Sequence, residues 1–271
     1  MKLHLLLLML LSYSVTTRTF AQSNLTSDRP GQTNSAFSMG NQQLQIQGGT
    51  DYYRSRQTDS LTTKTAAVIS NLTLRYGLPG QLEIRSSCNY NWNFIRDLSG
   101  KKNAQGPSDW LVGVRKTLFN RGDSSTSLAL EANFFIPFKN EVYDRSTVRP
   151  QIAVLLYHPL GNLFSVASNV GFRFGEGTTI DPELFYTASL GYSITKKFSG
   201  FIEAYGTGWR GKLQNKIDAG LAYMIRPNFQ LDLFAGFFGN DSIDENFVSL
   251  GFSWKPQKKK KQYTAPPNPS F

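Results

Sequence analysis

The sequence is poor in the residues that most catalytic chemistry needs. Among its 271 residues are one cysteine, Cys88, and two histidines, His4 and His158. A lone thiol excludes an internal disulfide framework, so something else must hold the fold together. Cys88 falls on the apolar side of its segment, between Ser86 and Tyr90, and reads as a buried, inert thiol. With so few soft ligands, no transition-metal site of the usual spacing exists. A Ser–His hydrolase needs an exposed histidine beside a nucleophile. His158 lies instead in YHPLGN, read as a tight turn, and is expected to be structural. Asp241, Asp244 and Glu245 crowd one loop, which gives Ca²⁺ only a faint hold. No enzyme activity and no cofactor are expected.

Long apolar runs are also missing. Ile152 to Tyr157 and runs like it stop far short of the ~20 residues that a spanning helix requires. Leu5 to Leu11 is the core of a different signal: Lys2 precedes it and Thr19-Phe20-Ala21 follows, so residues 1–21 read as a secretory signal peptide cut after Ala21. Mean hydropathy is −0.32, a value that a transmembrane barrel also reaches, because its polar lumen face offsets its lipid face.

The formal charge of +10 does not indicate nucleic acid. Lys2 and Arg18 leave with the signal peptide, and Lys255 with Lys258 to Lys261 supplies five of the remaining charges. No basic stripe or recognition motif is left elsewhere. Residues 255–271, KPQKKKKQYTAPPNPSF, are too rich in Lys and Pro to pack and read as a disordered periplasmic tail.

What the chain has in quantity is alternation. A period of two recurs about twelve times, with strands expected near 42–54, 65–76, 81–94, 109–118, 126–137, 147–158, 163–174, 183–194, 199–208, 214–226, 228–238 and 247–254. In QLEIRSSCNYNWNF (81–94) every second residue is apolar, aromatic or small, and the intervening set is wholly polar. Short connections (77–80, 158–162, 195–199, 226–228, with 120–125 slightly longer) alternate with long polar ones (55–64, 95–108, 139–147, 175–183, 239–246). Outer-membrane barrels show this pattern, with short periplasmic turns and long external loops. Strands of ten to fourteen residues exceed the usual ~5–6 and suit the ~9–11 that cross a membrane at a tilt. Tyr52, Tyr53, Tyr76, Tyr90, Trp92, Trp110, Tyr157, Tyr192 and Trp254 fall near strand ends, as interfacial girdles require. The expected fold is therefore all-β: a transmembrane up-and-down antiparallel β-barrel of about 12 strands over 42–254, preceded by a periplasmic or lumen-inserted segment, 22–41.

The segments SDRPGQTNSAF (27–37), LQIQGGTDYY, LRYGLPGQLEIR, FIEAYG and VSLGFSW together resemble the outer-membrane proteins of the phenol-degradation meta-pathway family. Asp28-Arg29-Pro30 is the most specific element. The resemblance covers nearly all of the chain after the leader and implies a transporter-like barrel linked to uptake of aromatic compounds. The tail after Trp254 departs from the barrel habit of ending on the last strand's aromatic residue.

Charges on the polar strand faces point to a site. Taking the apolar parity as outward places Arg75, Glu83, Arg85, Arg115, Glu131, Glu203, Asp218, Arg226 and Asp232 in the lumen. All but Asp218 lie close to short turns, which predicts a mixed-charge belt in the periplasmic half. Such a belt either fills a narrow lumen with paired charge or forms a constriction, with Asp28 and Arg29 folding in as a plug. Phe135, Tyr157, Phe185, Phe201, Tyr205 and Phe234 also point inward and hint at an apolar path. The RGD at Arg121 to Asp123 falls in an expected periplasmic turn, hidden from any external receptor. Two functions stay open: a passive channel for small, aromatic or hydrophobic solutes, and a structural or surface-interaction barrel with a plugged lumen. The expected partners are outer-membrane lipid, a small-molecule solute and the outer-membrane assembly machinery, with no nucleic acid.

Overall fold

The computed structural model describes residues 25–58, 63–120, 126–138, 147–175, 182–209, 211–239 and 243–256. The leader, the RGD tripeptide, Asp241 and the lysine run of the tail lie outside them. The elements are β1 (Leu44–Gln57), β2 (Thr63–Leu78), β3 (Leu82–Asp97), β4 (Gly100–Pro107), β5 (Trp110–Asn120), β6 (Ser127–Ile136), β7 (Arg149–Leu160), β8 (Phe164–Arg173), β9 (Glu183–Ser193), β10 (Phe198–Trp209), β11 (Lys212–Arg226), β12 (Phe229–Gly239) and β13 (Ile243–Trp254). Apart from β4 and β5, which both pair with β3, neighbours pair antiparallel in sequence order, and β1 pairs with β13 from Ile46↔Trp254 to Gln57↔Ile243, which closes the wall.

The barrel has twelve strands plus one extra, β4. The expected loop at 95–108 is a hairpin instead. β3 pairs with β5 through Leu82–Ser87 and with β4 through Tyr90–Asp97. β4 and β5 therefore lie in line as two halves of one crossing, broken at Ser108 and Asp109, where the Ser108 N–H still reaches the Asn89 carbonyl at 2.9 Å. The expected long loop at 239–246 is likewise mostly strand, because β13 already begins at Ile243. Glycine makes the tight turns possible: Gly80 and Gly161 adopt φ of +75° and +71°, a region costly for a residue with a β-carbon.

The two faces are inverted relative to a soluble protein. Leu72 and Ile152 are 50% and 52% exposed on the outside, whereas Arg75 and Arg115 are 0% exposed on the inside. A closed barrel with apolar residues out and charges in is the arrangement that lipid selects, since lipid satisfies no charge and no open strand edge. Cys88 is exposed on this outer face rather than buried, because the apolar side of β3 points away from the lumen. His158 belongs to β7, not to a turn, and its Nδ1 lies 2.8 Å from Thr126 Oγ1. Tyr53 and Tyr157 point inward and do not join a girdle; Tyr157 meets Phe37 edge to face at 5.1 Å.

Candidate functional site: the segment inside the lumen

Residues 25–40 lie inside the barrel. They contain no regular element, so their backbone groups need partners from the wall. Asp28 is the anchor. Its carboxylate accepts from both Arg115 Nη atoms at 3.0 Å, and from the Ser35 N–H at 2.8 Å. Arg75 and Arg85 approach the same carboxylate at 3.5 and 3.6 Å. Around it, Arg75 donates to Glu83 at 2.8 Å, and Arg115 donates to Glu131 at 2.6 Å. The wall alone brings three guanidiniums and two carboxylates; Asp28 supplies the third anion and makes the buried cluster neutral. Burial by itself would raise the Asp28 pKa, but Arg115, Arg75 and Arg85 outweigh it and hold the group well below the usual carboxylate range.

The strand register explains why these side chains meet. Arg75 stands opposite Arg85, and Glu83 and Glu131 each stand opposite Arg115. Inward residues on paired strands face each other with β-carbons ~4.5–5.5 Å apart, so Glu83, Arg115 and Glu131 alternate in sign across the wall, while the like pair Arg75 and Arg85 is relieved diagonally, by Glu83 and by Glu131.

Arg29 docks at the closing seam, on β2, β12 and β13. It donates to Asp232 at 3.0 Å, to Asn71 at 3.1 Å and to Ser249 at 2.9 Å. Its guanidinium lies in a slot left by Gly49 and Gly251, which pair across β1 and β13. A β-carbon on either glycine would approach the guanidinium to 2.6 or 2.2 Å. Farther round, Glu203 receives the N–H groups of Gln32 at 2.6 Å and Thr33 at 2.9 Å. Asn34 donates to Glu131 at 3.0 Å, Met39 N–H to Glu83 at 2.8 Å, and Arg75 to the Thr26 carbonyl at 3.0 Å. Where the segment joins the barrel, the Gln42 N–H donates to the Gly77 carbonyl at 2.7 Å.

The expected belt is thus two groups rather than one. Arg75, Glu83, Arg85, Arg115 and Glu131 cluster on β2–β6. Glu203 and Asp232 lie on β10 and β12, and the N-terminal segment bridges the two. Asp218, opposite Glu203, is also buried. Arg226 belongs to neither: a register shift between Met224 and Arg226 ends the alternation of β11, and the side chain is exposed at the rim. Sequence reasoning missed Gly49, Gly251, Asn71, Ser249 and Thr187, whose hydroxyl accepts from the Thr33 hydroxyl at 2.7 Å. The inward parity of the two glycines, facing each other across the barrel seam, was the available signal.

The segment does not fill the lumen evenly. Against β7–β11 a cavity of about 320 Å³ remains, lined by Ser165, Ser189, Ser193 and Ser199 together with Phe37, Tyr157 and Phe201. It lies beside the segment, on the side away from the arginine cluster. Hydroxyls and aromatic rings around a space of this volume suit a small organic molecule better than a metal ion. Among the described residues no group of His, Cys, Asp and Glu is arranged to hold a metal.

Residues 27–255 match the model of the family described as "Putative MetA-pathway of phenol degradation". No curated protein matches the sequence. Among solved structures, an outer membrane channel from Pseudomonas putida F1 is similar at 12% identity, over 84% of this chain and 99% of that one, with a TM-score of 0.64. The KdgM porin in complex with disordered oligogalacturonate is similar at 11% identity, over 77% and 99% of the two chains, with a TM-score of 0.50. The CymD monoaromatic hydrocarbon channel is similar at 10% identity, over 80% and 90%, with a TM-score of 0.50. At these identities the likeness is one of fold.

Proposed function

The chain belongs to the MetA-pathway phenol-degradation family, and from that membership we propose that it is an outer-membrane channel for small, aromatic or weakly polar solutes, regulated by its own N-terminal segment. The observation that carries the reading is the lumen itself: a closed barrel whose interior holds a docked segment with a 320 Å³ cavity beside it. Phe37, Tyr157 and Phe201 offer ring faces to a planar solute, and the serine hydroxyls offer hydrogen bonds to a phenol-like group. Passage is passive in this reading. The similar structures include a monoaromatic hydrocarbon channel and a porin in complex with oligogalacturonate, which supports transport of small molecules over catalysis. Met1 to Ala21 would send the chain across the inner membrane of a Gram-negative cell, and the barrel assembly machinery would insert it.

Swelling of liposomes containing the purified protein, with small aromatic and sugar solutes, tests this function. Faster swelling with the aromatic solutes is expected. A second reading draws on the density of contacts around Asp28 and Arg29: the lumen stays shut and the barrel serves as a structural or surface-interaction protein. No permeation of any solute would select it.

A further inference from the structure

The outward face of β1–β4 carries a charge arrangement that the channel does not use. Arg56 stands opposite Lys64, Lys64 opposite Arg96, and Arg96 opposite Lys101, so strand pairing assembles four cations into one basic row that the sequence, read along the chain, did not show. Asp244, opposite Arg56, is the row's only acid. Like charges directly opposite each other destabilise a sheet. Among the described residues no ion pair relieves the four. Glu245, the next residue on β13, points the other way and pairs with Lys216, and Asp97 is occupied by Ser99.

The position of the row is as telling as its charge. It lies twelve residues along β1 from Leu44, about 28 Å up the barrel at ~3.3 Å per residue and ~45° tilt, where an apolar band ~25 Å tall has just ended. Below the row the same face is apolar and aromatic, with Tyr52, Val68 and Trp92 aligned across β1–β3. Between the two zones the small Ala66 leaves a groove of about 520 Å³, walled by Arg54, Phe94, Asn103 and the cation row. Arg54 is held over the Tyr52 ring and donates to its hydroxyl at 2.8 Å.

We propose that this face binds a phosphorylated glycolipid of the outer leaflet, its phosphates on Arg56, Lys64, Arg96 and Lys101, its sugar over Ala66 and its acyl chains along Tyr52, Val68 and Trp92. Charge complementarity and depth select this occupant: the row requires several anions at headgroup height, directly above an acyl-chain surface. The extended hairpin of β3 and β4 then has a role, since it carries Arg96 and Lys101 to that height. The inference rests on the outer-membrane orientation proposed above.

The test uses the full-length purified barrel in detergent, with retained lipid counted by native mass spectrometry. The probes are lipopolysaccharide, the same glycolipid after enzymatic dephosphorylation, and phosphatidylglycerol. The wild type should retain the phosphorylated glycolipid, and the R56Q/K64Q/R96Q/K101Q variant at least about tenfold less. Heat-modifiable migration shows that the variant is folded. Equal retention by wild type and variant, equal retention of the dephosphorylated glycolipid, or equal retention of phosphatidylglycerol would overturn the proposal while leaving the channel reading intact. Absence of the protein from the outer-membrane fraction would remove the channel reading itself.

Discussion

At the scale of the residue, Asp28 does most to anchor the N-terminal segment inside the barrel. Its loss leaves three buried guanidiniums with two carboxylates, and breaking a buried pair on one side costs ~3–5 kcal/mol. Asp28→Asn should therefore free the N-terminal segment while the wall stays folded, seen as protease cleavage within residues 25–40 that the wild type resists. Acidification acts differently from the mutation. A carboxylate whose folded pKa is depressed contributes stability above its unfolded pKa and loses it only as pH falls through the folded value. Since three arginines hold Asp28 far below the usual range, its contribution should survive as pH falls through about 4, where an ordinary carboxylate protonates, and the wild type should still resist protease better than Asp28→Asn there. Gly251→Ala should mimic Arg29→Ala, because the new methyl would occupy the guanidinium slot; channel conductance raised equally by both variants is the expected readout. Strict alternation revealed the parity of Arg75, Glu83, Arg85, Arg115 and Glu131. It failed at Arg226, where a bulge interrupts the period, and although it gave Gly49 and Gly251 inward parity, their meeting in one slot depends on which strands close the seam.

At the scale of the element, the wall and the segment inside it are held by different forces. The strands are tied by backbone hydrogen bonds around a closed circuit, whereas residues 25–40 are tied by side chains. Deleting residues 22–36 should therefore leave heat-modifiable migration on a gel unchanged, and loss of that shift would mean that the segment is needed to build the barrel. Strand positions were legible because a two-residue period with lipid outside repeats faithfully, and β5 to β12 lie close to where the pattern put them. The β3–β4 hairpin was hidden. Its residues, Asp97 to Pro107, are mostly polar on both faces, as the headgroup zone allows, and polarity on both faces reads as loop.

At the scale of the whole molecule, the sequence held the inside-out architecture and the presence of a charged lumen, and the resemblance pointed to a transporter-like barrel. Which charges meet across the lumen was not legible, because it depends on the closure of β1 on β13 and on the path of the N-terminal segment, neither of which a local pattern records. The central claim is that this segment is the gate of a channel. Single-channel conductance in planar bilayers, compared between the full-length protein and one lacking residues 22–36, tests it most directly. The account predicts a larger and steadier conductance for the deletion. Equal conductance for the two proteins would contradict it.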